Sequence, residues 1–317
     1  MEQGTDKGKI VVLGGLNMDL MIETPRLAGP GETTEGTRFY TAPGGKGGNQ
    51  AVAAARLAGI PGKVAMIGRV GGDAFGSEMR DFLEAQGIDT GFLRVDETVA
   101  SGIAAIFIDS TGQNYVNAVY GTNARCDEQQ VTDAETALQD ASVLLVQQEI
   151  PLDVTMAAMQ TAQRFGAIVI LDPAPARVVP DGFLESVDIL TPNQTEAEAL
   201  TGIVVNDGTS AAKAAKKIRD MGLKSVIVTL GEGGAHVESD GISELLPAFN
   251  VPVVATVAAG DAFNGGLAVG LASGMNITDA ARLGMAAGAL CVSRDGAQEA
   301  MPYRTEAEEL LAKGATI

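Results

Sequence analysis

Six short apolar runs recur along this chain, and helical patterns separate them. The runs are residues 9–13, 63–67, 143–146, 167–171, 187–190 and 225–230. Each is too short for a buried helix and too continuous for a strand with one wet face, which suits parallel strands buried on both sides. Helical periodicity lies between or after them, at 48–58, 74–85, 128–138, 152–165, 195–200, 210–221, 261–273 and 278–292. That order predicts a single α/β domain over residues 1–317, a doubly wound, mostly parallel sheet flanked by helices, with ligands at the carboxyl ends of the strands.

Two stretches break the rhythm, residues 17–42 and 101–119. In the second, the runs 103–108 and 115–119 flank Asp109-Ser110-Thr111-Gly112-Gln113, which predicts a β-hairpin. Together the two stretches, about 15–43 and 100–120, can build a small sheet projecting from the main one.

Composition removes several function classes. The net charge is −18, from 40 acidic and 22 basic residues, which argues against nucleic acid and anionic membranes as partners. The most apolar long window, 253–272, is interrupted by Asp261 and Asn264, so no membrane span is expected. His236 is the only histidine, which excludes a zinc site built on several histidines. Cys126 and Cys291 form no ligand pattern, and the polar stretch from Met1 to Lys9 has no leader-like apolar core. These features point to a cytoplasmic enzyme.

The chemistry concentrates in a few segments. A β-branched stretch, 251–257, runs into Ala258-Ala259-Gly260-Asp261 and then a helical pattern. If a helix opens there, the N–H groups of Ala259, Gly260 and Asp261 form an anion cradle, and Asp261 can take a proton from an attacking hydroxyl. The plainer alternative is an N-cap aspartate over a small-residue helix contact. Gly44-Gly45-Lys46-Gly47-Gly48-Asn49-Gln50 is a glycine-rich turn before a helix, but it lacks the phosphate-loop spacing. Asn17, Asp19 and Asn49 are short polar groups suited to vicinal hydroxyls, or equally to turns. Glu149 follows an apolar run, so it stands at a strand's carboxyl end or in a solvated loop before Pro151. Asn193 and Glu196, three apart, can face a hard cation or simply cap a helix. Thr229-Leu230-Gly231-Glu232-Gly233-Gly234 can lie against a nucleotide or lead into a hairpin.

Taken in order, Asn17-Met18-Asp19, the Gly44–Ala51 segment and Ala258-Ala259-Gly260-Asp261 resemble the ribokinase-type carbohydrate kinases. The segments Gln148-Glu149, 172–177, 191–196, Thr229-Leu230-Gly231 and Gly296-Ala297-Gln298 agree, so the resemblance spans about Ile10 to Leu310. It implies ATP-dependent phosphorylation of D-ribose at its 5-hydroxyl. It assigns the sugar to Asn17, Asp19, Gly45, Lys46, Asn49, Glu149 and Asp261. Asp261 becomes the catalytic base, with Gly260 and Ala259 at the anion hole. The nucleotide falls to Asn193, Thr229, Gly231, Gly234 and Gly260, and Mg²⁺ to Asn193 and Glu196, directly or through water. The base would meet the apolar stretch 284–286. The small sheet becomes a lid over the sugar and a homodimer contact.

One departure stands out. Where such kinases carry side-chain oxygens for an activating potassium ion, this chain has Ala255 and Ala300. Only the carbonyls of Val257, Cys291, Arg294 and Gly296 would remain, so the site is expected to be weakened or lost. Two rival functions stay open: a kinase for 2-deoxyribose or another small sugar, and a catalytically weak sugar-binding regulator on the same scaffold.

Overall fold

The computed structural model describes residues 8–314. The amino-terminal leader reading concerns residues 1–9 and so falls mostly outside them. The strands in chain order are β1 (Lys9–Leu13), β2 (Asn17–Glu23), β3 (Arg38–Gly44), β4 (Val64–Gly71), β5 (Asp89–Asp96), β6 (Gly102–Ile108) and β7 (Asn114–Val119). They continue with β8 (Ala141–Val146), β9 (Ile168–Leu171), β10 (Ile189–Leu190), β11 (Ser225–Thr229), β12 (Ala235–Ser239) and β13 (Ile242–Leu246). The helices are α1 (Lys46–Ala58), α2 (Ala74–Ala85), α3 (Glu128–Asp133), α4 (Glu135–Asp140) and α5 (Leu152–Arg164). After them come α6 (Gln194–Thr201), α7 (Gly208–Arg219), α8 (Ala259–Ala272), α9 (Ile277–Val292) and α10 (Arg304–Lys313).

The main sheet has the order β13-β12-β11-β10-β9-β8-β1-β4-β5. Pairing is parallel from β5 to β11, and β12 and β13 close one edge antiparallel. Alternate residues of β1 enter different cores. Ile10 and Val12 pack with α1, α2, α8, α9 and α10, while Val11 and Leu13 pack with α3 to α7. The inner strands are therefore apolar on both faces, which is why their runs read as continuous.

A second sheet has the order β3-β2-β6-β7. The expected hairpin is there: β6 and β7 pair antiparallel, and the turn closes with Gly112 N–H donating to the Asp109 carbonyl at 2.9 Å. The two irregular stretches meet because β2 runs parallel to β6, Asn17 opposite Gly102 through Glu23 opposite Ile108. At the root of this sheet, the Asn123 side chain donates to the Leu16 carbonyl (2.8 Å) and accepts from the Leu16 N–H (2.9 Å).

One expected element differs, and two further segments carry no strand expectation from the sequence. The helix expected over 128–138 is two short helices, because Ala134 leaves the helical region at φ −95°, ψ 9°. The break lets Val131, Ala134, Ala137 and Leu138 all reach the same core. The β-branched stretch 251–257 forms no strand; Val253 and Val254 are 65% and 61% exposed in an open loop, tied down by Val254 N–H to the Val292 carbonyl at 2.7 Å. The edge strand β5, of which only Thr90 and Leu93 are buried, shows no apolar run at all.

Candidate active site

The sheet order fixes where a ligand can sit. From β1 the chain proceeds to β4 on one side and returns to β8 on the other, so the loops after β1 and β8 diverge and leave a crevice. Gly14-Gly15, Gln147-Gln148-Glu149 and Asp172 follow the carboxyl ends of β1, β8 and β9. Helix α1 opens at Lys46, behind Gly45, whose φ of 82° favours glycine. The Glu149 carboxylate accepts the Lys46 N–H at 2.8 Å, so the glutamate sits at that helix start and not in a solvated loop.

Asp261 is the hub. It lies in the first turn of α8 and is 4% exposed. Asn49 Nδ2 donates to its Oδ2 at 2.8 Å, and Gln50 Nε2 donates to its Oδ1 at 3.1 Å. Asp261 is thus not the N-cap of α8. That position is Ala258, at φ 59°, the one non-glycine residue with positive φ among the described residues. A side chain held there stores strain of order 1 kcal/mol, a cost often met where backbone is set for ligands. The first bond into the helix runs from Ala262 N–H to the Ala258 carbonyl at 2.9 Å, so the N–H groups of Ala259, Gly260 and Asp261 precede it. Nothing stands within 4 Å of where a Gly260 side chain would begin. The space there belongs to a cavity of about 190 Å³ lined by Lys46, Asp172, Asn193, Glu196, Thr229, Thr256 and the start of α8.

The electrostatics are uneven. Burial, reinforced by Glu149, Glu299 and Asp261, pushes the Asp19 carboxyl up to about 7. Burial also raises Glu149, and it lifts Asp172 to about 8. Lys46 feels the opposite balance. Burial opposes its charge, but Asp261, Asp172, Glu149 and Glu196 outweigh it and hold the ammonium well above its usual range. One cation therefore faces four carboxyl groups, an arrangement suited to a further anion once a metal or proton offsets the acids.

The remaining expected residues fall into two groups. Asn17 is buried, with its Oδ1 accepting from Asn123 at 2.9 Å, and it shares one face of β2 with Asp19. Asn49 Oδ1 is buried with no partner in the protein, so it is available to a ligand hydroxyl. On the other side, Asn193 and Glu196 form a reciprocal capping box at the start of α6, with bonds of 2.9 Å each way. The capping reading is therefore realised, and both residues also line the cavity. Thr229 lines it too, whereas Gly231 and Gly234 lie in the turn that leads from β11 into the hairpin with β12. Near α9, Cys291 Sγ approaches the Val257 carbonyl at 3.6 Å, and Arg294 N–H donates to the Cys291 carbonyl at 3.2 Å.

Sequence reasoning assigned no role to several polar residues that the fold brings to this place. Gln50 bridges Asp172 and Asp261, Gln147 bonds Gln50, and Thr191 bonds Asn264, which in turn bonds the Gly260 carbonyl. Gln50 and Asp172 stood inside motifs already singled out; their partners lie more than a hundred residues away.

The sequence pattern of the pfkB family carbohydrate kinases matches residues 7–304. The chain belongs to that family. A ribokinase of Haemophilus influenzae is 40% identical over 302 residues, covering 95% of this chain and 98% of the relative. A deoxyribokinase of Salmonella typhi is 33% identical over 303 residues, covering 95% and 98%. The solved structure of Arabidopsis thaliana ribokinase complexed with ribose and ATP superposes with a TM-score of 0.90 at 32% identity, covering 96% of this chain and 98% of that one. For a pfkB carbohydrate kinase, a carboxylate beside an open helix N-terminus is the expected equipment for phosphoryl transfer to an alcohol.

Proposed function

We infer that this kinase transfers the γ-phosphoryl group of ATP to the 5-hydroxyl of D-ribose. The observation that carries the reading is Asp261, fixed by Asn49 and Gln50 next to the open first turn of α8. The similarity to ribokinases over nearly the whole chain supports ribose as the sugar.

In this reading Asn17, Asp19, Gly45, Lys46, Asn49 and Glu149 hold the sugar. Asp261 accepts the proton of the 5-hydroxyl as its oxygen bonds to the γ-phosphorus and the bond to the departing ADP oxygen breaks. The N–H groups of Ala259, Gly260 and Asp261 receive the developing charge on the phosphoryl oxygens. Lys46 lies on the same cavity wall and adds a cation. Asn193, Thr229, Gly231, Gly234 and Gly260 border the nucleotide.

Mg²⁺ fits the cavity through Asn193 and Glu196, whose capping bonds leave lone pairs for metal-bound water. When bound, it would neutralise charge on the phosphates. The donor set for potassium fits poorly. Positions 255 and 300 offer only methyl groups, the Val257 carbonyl faces the Cys291 thiol, and the Cys291 carbonyl already accepts from Arg294. No step above uses that ion.

The small sheet serves as a lid, since Asn17 and Asp19 sit on its strand β2 and its movement would close them on the sugar. Its outer strand is exposed throughout, with Val116 and Val119 at 58% and 61% and Phe39 of β3 at 65%, which supports pairing with a second copy. No helix among the described residues is long and apolar enough to cross a membrane. A cytoplasmic location completes the reading, supported by two free, buried cysteines. The similarity to deoxyribokinases keeps 2-deoxyribose as the second candidate sugar. A coupled assay of ADP release with a panel of pentoses tests the proposal. Ribose should give the highest kcat/KM. ADP release that no pentose stimulates would sink the kinase reading in favour of a sugar-binding regulator.

A further inference from the structure

Gln50 is fully buried, and every polar atom of its side chain is spent. A primary amide has two N–H bonds. One points to Asp172 Oδ2 at 2.9 Å, the other to Asp261 Oδ1 at 3.1 Å. Its oxygen accepts from Gln147 Nε2 at 2.6 Å. This wiring fixes the orientation of the amide. Turned over, Gln50 would aim its oxygen at two carboxyl groups and face one amino group with another. Gln147 thus orients Gln50, and Gln50 orients Asp261.

Asp261 is gripped on both oxygens, Oδ2 by Asn49 and Oδ1 by Gln50. The two grips differ. Asn49 also has a free buried oxygen for a ligand, so its contacts change when the sugar arrives. Gln50 has no atom left for a ligand. We propose that Gln50 is a positioning residue for phosphoryl transfer: it holds the Asp261 carboxylate in its productive orientation while tying it to Asp172, and Gln147 is the strut that keeps it turned that way. The proposal rests on the kinase reading only in taking Asp261 as the base.

Two physical consequences separate this role from plain core packing. A base displaced by about 1 Å loses on the order of 10²-fold in rate. A positioning role also splits kcat from KM, since other residues hold the sugar and only the geometry at the reacting atoms is disturbed. The other ionisable groups that act on this place are Lys46 of α1, Asp19 of β2, Glu149 and Asp172 after β8 and β9, Glu196 of α6 and Cys291 of α9. Of these, Asp172 also loses a hydrogen bond when Gln50 is replaced, because Gln50 Nε2 donates to its Oδ2.

The test is Gln50→Met, close in volume but without donors, compared with the full-length wild type on whichever pentose the wild type turns over fastest. A different preferred sugar would revise the functional reading and leave this one intact. The expected result is a kcat lower by about 10- to 100-fold with a sugar KM within about threefold. Gln147→Met, which leaves every contact of Asp261 in place, should lower kcat by less with KM again little changed, and it stands in should Gln50→Met not fold. Unchanged kcat in either folded variant, or a sugar KM that rises as much as kcat falls, overturns the proposal.

Discussion

The two regions proposed for the sugar and for the nucleotide are built differently. On the side proposed for the sugar, Asn17, Asn49, Gln50 and Asp261 are all under 10% exposed; Asn49 and Gln50 both bond Asp261, and Asn17 bonds Asn123, before any substrate arrives. On the nucleotide side, the turn at Gly231–Gly233 and much of the 251–257 loop are exposed, and the contacts on offer are mostly backbone. The difference follows from what each half must recognise. Vicinal hydroxyls need directional partners held at fixed distances, and a preset network keeps those partners from pairing with water or one another. A polyphosphate needs N–H groups and a counter-charge, which a helix start, Lys46 and an incoming metal supply with little side-chain detail.

The sharpest way to break this comparison is at the hub both halves share. Asp261→Asn should lower kcat by about 10²–10⁴-fold while sugar affinity stays nearly intact, because it removes the proton acceptor and keeps the shape. Turnover near the wild-type rate would remove Asp261 from the chemistry. The next test sets one half against the other. Asn49→Ala should weaken ribose binding by about 1–3 kcal/mol through the loss of buried hydrogen-bonding groups. Thr229→Ala should change the affinity of either ligand by less than about 0.5 kcal/mol. Calorimetry giving equal losses for both substitutions would mean that the sugar side is no more prewired than the nucleotide side.

Legibility in the sequence follows the same divide in physical kind. The main sheet could be read because strands buried on both faces must be apolar throughout, as 10–13 and 143–146 are. Strand β5 could not, since an edge strand tolerates Asp89, Gly91, Arg94 and Asp96. The stretch 251–257 shows the converse: β-branched residues alone make no strand without a neighbour to pair with. Within the site, Asn49 and Asp261 were legible as short polar groups set among glycine and alanine. The bonds of Gln50 to Asp172 and Asp261 span 122 and 211 residues, and no local spacing encodes them. The capping box of Asn193 and Glu196 was legible because its chemistry is local.

The sugar side should also respond to protons. In the free protein the Asp19 carboxyl titrates near 7, raised first by burial and then by neighbouring acids. The ionised form accepts from two hydroxyls, so ribose should bind the ionised form. A raised carboxyl means that the ionised form is lost as pH falls through about 7. Ribose affinity should therefore decrease below that pH, by up to about tenfold per unit, and binding near pH 7 should release a proton. Calorimetry in buffers of different ionisation enthalpy reads that proton directly. Flat affinity between pH 6 and 8, with no buffer dependence, would remove Asp19 from contact with the sugar. ATP affinity offers the internal control, since Asp19 lies on the small sheet away from the nucleotide turn.

The smallest expected effect concerns the loop that lacks side-chain oxygens. Ala255 is held only by its N–H to the Val292 carbonyl at 3.2 Å, and Ala300 is a buried methyl group. A cage of carbonyls alone has little charge to offset dehydration of a cation, so potassium should bind weakly and activate turnover little. The loop runs straight into Ala258 and the first turn of α8, so an ion ordered there would act through its field and through the geometry of the anion hole. Ala255→Asp adds a carboxylate at a partly exposed position, where screening limits its effect. The variant should therefore gain a saturable potassium response of a few-fold in kcat and a potassium-dependent rise in melting temperature in the absence of substrate. Both are measured at constant ionic strength, with a larger organic cation as the replacement. Strong potassium activation of the unaltered chain, with no further change in Ala255→Asp, would show that backbone carbonyls suffice. The nucleotide side would then be as well prepared for its ion as the sugar side is for its hydroxyls.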